Sequence, residues 1–390
     1  MRQRDLVLAT SSGSLFETFD FYLFSLFSVA ISQSFFGEVS DDNMLWVFII
    51  FASGYFARII GALFFGYLGD KHGRSLSFRY TILIISFTSI AIGLIPTYSV
   101  IGIFAIILLF ILRIAQGIAY GGGLSGAIVL IYEHTHKHRG LYCSIVLVFA
   151  SLGVVVANLI HTSVVTWMNP EKVLDFGWRV AFVGSGLIVF HCYYFARNTL
   201  KEPLIFREMQ QSQKTDGNAI HKIAKHYKSL LICVFFTQAG IASYWGILVA
   251  YLPTYCAEYC SLSKIWFSQL FLVISIGIAI GNIAGGIIAD KLGIRKAYLF
   301  YSILMATIIL PTFYYALKNS TPIIHLLIAM GILAFLTGFM NSTAQYLASS
   351  LFPAEIRFSG VAICQSLGMA FFAGLAPLYV SILTDYFNTP

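Results

Sequence analysis

Apolar runs of 18 or more residues recur along the whole chain, separated by short polar clusters. Eleven are placed at 10–36, 44–69, 79–96, 99–132, 140–166, 178–196, 228–256, 264–289, 297–317, 322–350 and 357–384. Each is about the length a helix needs to cross a hydrocarbon core of roughly 30 Å. The strand-length alternation of a membrane barrel is not visible, so the pattern predicts an all-α integral membrane protein. The longest polar interruption runs from 197 to 228 and divides six spans from the five that follow. About thirty residues are too few for a core of their own, so this segment reads as a linker. The predicted organisation is an N-terminal six-helix bundle (1–196), a cytoplasmic linker (197–228) and a C-terminal bundle with five visible helices (229–390).

Composition supports the same class. The chain is 58% hydrophobic and 11% charged, with a mean hydropathy of +0.82, against roughly 25% charged residues in a soluble domain. The net charge of +7 raises the question of a polyanionic partner, and its distribution answers it. With the N-terminus cytoplasmic, all 24 Lys and Arg fall on cytoplasmic loops or ends except Lys172, Lys264, Lys318, Arg179, Arg58 and Arg113. That is the positive-inside bias, so no nucleic-acid partner is implied. Arg2 and Arg4 precede a span that is too long and carries acids, so no cleavable leader is expected. Cys256 and Cys260, four apart near a helix end, read as packing residues. His134, His136 and His138 read as solvated loop residues, and no metal is expected.

The halves repeat. GYLGDKHGRS from Gly66 returns as GIIADKLGIR from Gly286, so Gly66, Asp70, Lys71 and Gly73 reappear 220 residues later as Gly286, Asp290, Lys291 and Gly293. Arg139 opens span 5 and Arg357 opens span 11, at nearly the same offset. Duplicated helical halves are the architecture of many secondary carriers, with a substrate site near the midplane.

Four charged residues lie deep inside spans, all in the N-terminal half: Glu17, Asp20, Arg58 and Arg113. A charge at that depth costs at least about 2.5–3.5 kcal/mol, so such residues pair and mark a pathway. Glu17 and Asp20 are i, i+3 neighbours and are expected to face one space. Arg113, Gln116, Gly117 and Tyr120 form a polar, open stripe at helical spacing. The expected network pairs Asp20 or Glu17 with Arg113, while the other acid or Arg58 completes it. A carboxyl poised between a low-dielectric surround and a guanidinium can load and release a proton. An Arg stays charged and suits a carboxylate anchor. The alternative is an ion pair holding spans 1, 2 and 4 in register. Tyr244, Trp245 and Tyr251, with Asn341 and Gln345, are the candidates for the opposite cavity wall. His161 and His191 read as helix-to-helix hydrogen-bonding groups before any proton path.

The loop Gly66, Leu68, Asp70, Gly73 and Arg74 resembles the signature G-x-L-x-D-x-x-G-R of the major facilitator superfamily. GSLFETFDFYLF in span 1, RIAQGIAYGGGLSGA in span 4, GWRVAF from Gly177, YLPTY in span 7 and FPAEIRFSG at span 11 are similar, in order, to segments of its metabolite:proton symporter branch. That branch includes proline/betaine, α-ketoglutarate, shikimate and citrate carriers. Gly123, Thr18 and Ala181 depart from its pattern, where Glu, Trp and Pro are usual. The resemblance implies twelve spans, of which the twelfth is apparently missing here. It implies a cytoplasmic gate in which Asp70 faces the start of span 11 near Arg357, and Arg74 faces Glu133, with Asp290 the repeat counterpart.

The implied function is secondary active transport: proton-coupled uptake of a small carboxylate or zwitterion, such as a proline/betaine-type osmolyte or α-ketoglutarate. It would run by alternating access across a cell inner membrane. The alternative is a truncated or degenerate carrier that acts as a binding protein or sensor without net transport. No nucleotide-cradling glycine loop, metal-spaced His and acid set, or nucleophile with a base is found. An enzyme, a cofactor or a primary pump is therefore not expected.

Overall fold

A span in hydrocarbon must satisfy its backbone internally, and this chain does so with helices. The structure, a computed structural model, describes residues 3–36, 41–212, 219–251, 264–318, 323–376 and 379. Helix α1 (Gln3–Leu26) continues into α2 (Ser28–Phe36) through a 59° bend. Then come α3 (Asp41–Lys71), α4 (Arg74–Leu94), α5 (Ile103–Tyr120), α6 (Gly123–His134), α7 (Arg139–Trp167) and α8 (Trp178–Thr199). Two short helices follow, α9 (Leu204–Gln211) and α10 (Ala219–His226), within the segment read as a linker. The remainder holds α11 (Lys228–Trp245), α12 (Lys264–Leu292), α13 (Ile294–Lys318), α14 (Ile323–Leu351) and α15 (Arg357–Gly368).

No strand occurs among the described residues. Nine of their helical segments are long and apolar enough to cross a membrane, and ten if the bent first pair is one span. The eleven spans placed from sequence exceed that measure by one. Helix α13, which carries Pro311, stands where the ninth was expected.

Small residues decide which helices touch closely. A Cβ on Gly61 would run into the Ile118 backbone, one on Gly117 into Gly54, and one on Gly121 into Arg58 and Ala62. Helices α3 and α5 therefore cross backbone to backbone, as small-residue faces allow in a membrane. On α7, Gly153 lies against Leu15 and Phe19 of α1. The repeat reappears in three dimensions. Gly66 on α3 meets Ser359 at the start of α15, and Gly286 on α12 meets Gly140 at the start of α7. Two equivalent joints thus tie α3 to α15 and α7 to α12.

Candidate functional site

The close α3–α5 crossing sets Arg58 and the α5 stripe beside α1. Glu17 and Asp20 do not share one space. Three residues of helix leave them roughly 60° apart, and the packing separates them fully. The Glu17 side chain turns toward a cavity and lies against Gly123, where any Cβ would collide with its carboxylate. Asp20 turns the other way, is 0% exposed, and meets α4, α5 and α8.

Asp20 is held by four side chains. Gln116 Nε2 and Tyr120 Oη each lie 2.7 Å from Oδ2, while the hydroxyls of Ser89 and Ser185 lie 2.5 and 3.1 Å from Oδ1. Such a donor set suits an ionised carboxylate in a low-dielectric interior. Arg113 does not pair with it directly. Arg113 Nη1 donates to Gln116 Oε1 at 2.7 Å, so the glutamine bridges acid and guanidinium. The expected direct ion pair is corrected to this relay, because the i, i+3 spacing of Arg113 and Gln116 interposes the amide.

Both deep guanidinium groups rest on aromatic faces. Arg58 Cζ lies 4.7 Å from the centroid of Phe21, 5.3 Å from Tyr55 and 5.1 Å from Tyr120. Arg113 Cζ lies 4.1 Å from that of Phe24. Desolvated contacts of this kind are worth about 2 kcal/mol or more and hold a cation without consuming a carboxylate. No salt bridge within 4.0 Å joins Glu17 or Asp20 to either arginine among the described residues.

The cavity measures about 80 Å³, roomy enough for several water molecules. One wall carries Glu17, Thr18 and Tyr22 of α1 with Tyr55 and Arg58 of α3. The other carries Gln238 and Trp245 of α11 with Asn341 and Gln345 of α14, while Gln365 comes from α15. Trp245 Nε1 donates to Tyr22 Oη at 2.8 Å and links the two walls. Gln345 Nε2 donates to Gln238 Oε1 at 3.1 Å, which leaves Gln238 Nε2 and Gln345 Oε1 buried without partners. Arg58 Nε is likewise unpartnered. An unsatisfied buried polar atom costs about 1–3 kcal/mol, so these walls favour a polar guest.

Two of the expected cavity residues lie elsewhere. Tyr120 sits behind the wall, bonded to Asp20. Tyr244 packs against the cluster around Ile241, Met305 and Phe339, since neighbours on a helix point about 100° apart and Trp245 takes the cavity side. The side chain of Tyr251, and Cys256 and Cys260, lie outside the described residues. His161 rests its ring on Phe27 at 4.9 Å, and His191 is exposed. Sequence reasoning missed Tyr22, Tyr55, Ser89, Ser185 and Gln238. Tyr22 follows Thr18 of the same wall by four residues, on one face of α1.

At one end of the bundle the joints are closed by charge. Asp70 accepts from the backbone N–H groups of Phe358 and Ser359 at 3.2 and 2.9 Å, at the N-terminus of α15. Asp290 accepts from those of Gly140 and Leu141 at 2.8 and 3.0 Å, at the N-terminus of α7. Carboxylates are favoured there by the helix dipole and the free amides. Gly73, at φ 136°, makes the turn that lets α4 start beside them. Arg74 reaches Asp70 at 3.3 Å and Glu133 at 3.2 Å, and Arg357 reaches Glu133 at 2.5 Å. Glu202, which sequence reading passed over, accepts from the Ser75 and Leu76 amides at 3.2 Å and caps α4.

Comparison with known proteins agrees with this geometry. The Major Facilitator Superfamily profile matches residues 10–387. The Proline/betaine transporter of Salmonella typhimurium is 30% identical over 397 residues, covering 98% of this chain and 78% of its own length. The Glycine betaine/proline/ectoine/pipecolic acid transporter OusA of Dickeya dadantii is 30% identical over 403 residues, with the same coverage. Among solved structures, the proton:xylose symporter XylE bound to 6-bromo-6-deoxy-D-glucose superposes with a TM-score of 0.82 at 15% identity. That match covers 98% of this chain and 89% of XylE.

Proposed function

The chain belongs to the Major Facilitator Superfamily, a multi-pass membrane secondary transporter and not an enzyme, and we propose that it couples proton entry to uptake of a small carboxylate-bearing metabolite. The observation that carries this reading is the cavity itself. Among the described residues it places an acid without an ion pair, Glu17, and a cation without a carboxylate, Arg58, on one surface.

The substrate class is a proline/betaine-type osmolyte or a small organic acid such as α-ketoglutarate. The likeness to osmolyte transporters supports the first member of that pair. Arg58 offers charge to a carboxylate, and the free Gln238 N–H adds a donor. The free Gln345 Oε1 accepts from a substrate N–H or hydroxyl. Glu17 is the proton-loading group, since it faces the cavity and lacks the donor set that holds Asp20. Asp20, Gln116 and Arg113 form the fixed support behind it. Bundles 1–196 and 229–390, joined by the linker 197–228, are the two bodies that alternate. The Asp70 and Asp290 joints are the cytoplasmic gate, with the N-terminus on the same side of a cell inner membrane.

External pH recorded in de-energised right-side-out vesicles tests this reading. Pooled zwitterions are added first, then pooled organic acids. Alkalinisation with one pool and not the other is expected and names the substrate class. Silence with both, in protein shown to be inserted and folded, contradicts proton-coupled uptake and supports a carrier that binds without net transport.

A further inference from the structure

A second concavity lies at the Asp70 end, away from the central cavity. It measures about 650 Å³ and is formed by the α6–α7 turn, the α8–α9 connection and the first turns of α1. Lys137, Lys201 and Arg207 line it, with His134, His136 and His138. None of the three permanent cations takes part in an ion pair among the described residues. The one acid on its wall, Glu202, is engaged by the two amides of α4. The cleft is therefore a concave surface with an excess of positive charge.

Two details shape it for a ligand. His134 Nδ1 lies 2.9 Å from the Leu130 carbonyl, which fixes the ring in the wall. His138 adopts φ 56°, the only non-glycine residue with positive φ among the described residues. Such a conformation costs about 1–3 kcal/mol and persists where the surroundings demand it. The alternating histidines invite a metal, yet no group of three or more metal-ligating side chains is close enough among the described residues. Lysine and arginine donors lining one cleft at the ends of membrane spans match a phosphate group instead.

We propose that this cleft binds a phosphate-bearing anion, supplied by an anionic phospholipid headgroup or by soluble phosphate. Bound there, the anion ties the α6–α7 turn to the α8–α9 connection. That turn follows Glu133, which holds Arg74 and Arg357, so occupancy favours the closed joint. The inference stands independently of the transported substrate.

Thermal unfolding of the full chain in detergent tests it, read by a thiol-reactive dye on the buried cysteines Cys143, Cys192 and Cys364. Inorganic phosphate is titrated against sodium chloride at equal ionic strength, and dioctanoyl phosphatidylglycerol against dioctanoyl phosphatidylcholine. Stabilisation by phosphatidylglycerol alone supports a headgroup site, by phosphate alone a soluble ligand, and by both the shared phosphate chemistry. The double variant Lys201→Gln, Arg207→Gln, at two exposed positions, is expected to raise the half-maximal concentration about tenfold or more. No stabilisation by either probe overturns the proposal. So does an equal effect of phosphatidylcholine, or an effect that survives in the double variant.

Discussion

The two walls of the central cavity are built from the same kind of helix and carry different chemistry. Helices α1 and α3 present a carboxyl and a guanidinium; α11 and α14 present amides and an indole, with no charged group. A charge in hydrocarbon needs an elaborate support. Only the first wall has one, in the Asp20 network and the aromatic faces under Arg58 and Arg113. In the proposed mechanism charge movement belongs to the supported wall, and the amide wall shapes the guest.

This division can be broken at several points, taken here from the largest effect down. Arg58→Gln removes the cavity's cation and should lower transport at low substrate concentration about 30-fold or more, in line with losing a buried charge partner. Initial-rate uptake in proteoliposomes checks it. Asp20→Asn leaves the hydroxyls and the Gln116 amide facing a group that cannot accept from all of them. A loss of about 2–4 kcal/mol is expected in thermal or denaturant unfolding, while Glu17→Gln, which leaves no such donor set unsatisfied, should cost less.

The two joints offer a narrower comparison. Each carboxylate accepts from two amides, but among the described residues only the Asp70 joint adds ion pairs, through Arg74, Glu133 and Arg357. Asp70→Asn should therefore open that end more than Asp290→Asn, by about 1–2 kcal/mol of extra shift. Alkylation rates of a cysteine placed in each joint read it out. Gln345→Ala, on the amide wall, should raise KM about 3- to 10-fold and leave the proton dependence of transport unchanged. An altered proton dependence would show that both walls take part in coupling.

Much of this was legible in the sequence, and for physical reasons. Long apolar runs admit few readings, so the helices and their order were predictable. The Asp70 joint was legible through the resemblance, which places Asp70 at the start of span 11; the return of Gly66–Asp70 as Gly286–Asp290 marked the second acid but not its partner amides at Gly140 and Leu141. Glu17, Asp20, Arg58 and Arg113 announced themselves by depth. Their pairing did not, because it depends on an amide inserted between Asp20 and Arg113 and on two serines from other helices. Serine in a span is uninformative, since its hydroxyl commonly returns to its own helix, as Ser151 does to Leu147. Glu202 caps a helix more than a hundred residues earlier, a contact that only tertiary packing creates. Gly123, which departs from the branch pattern, is explained by the space it leaves for the Glu17 carboxylate.

In the proposed mechanism Glu17, and not Asp20, carries the proton. The decisive measurement is accumulation of the substrate pool by Glu17→Gln proteoliposomes under an imposed inward proton gradient, beside counterflow exchange in the same vesicles. For a gradient of about one pH unit, one-for-one symport sustains about tenfold accumulation. Glu17→Gln is expected to fall to the equilibrium level while exchange persists. Accumulation retained in Glu17→Gln would contradict it and return the proton to Asp20 or to another group.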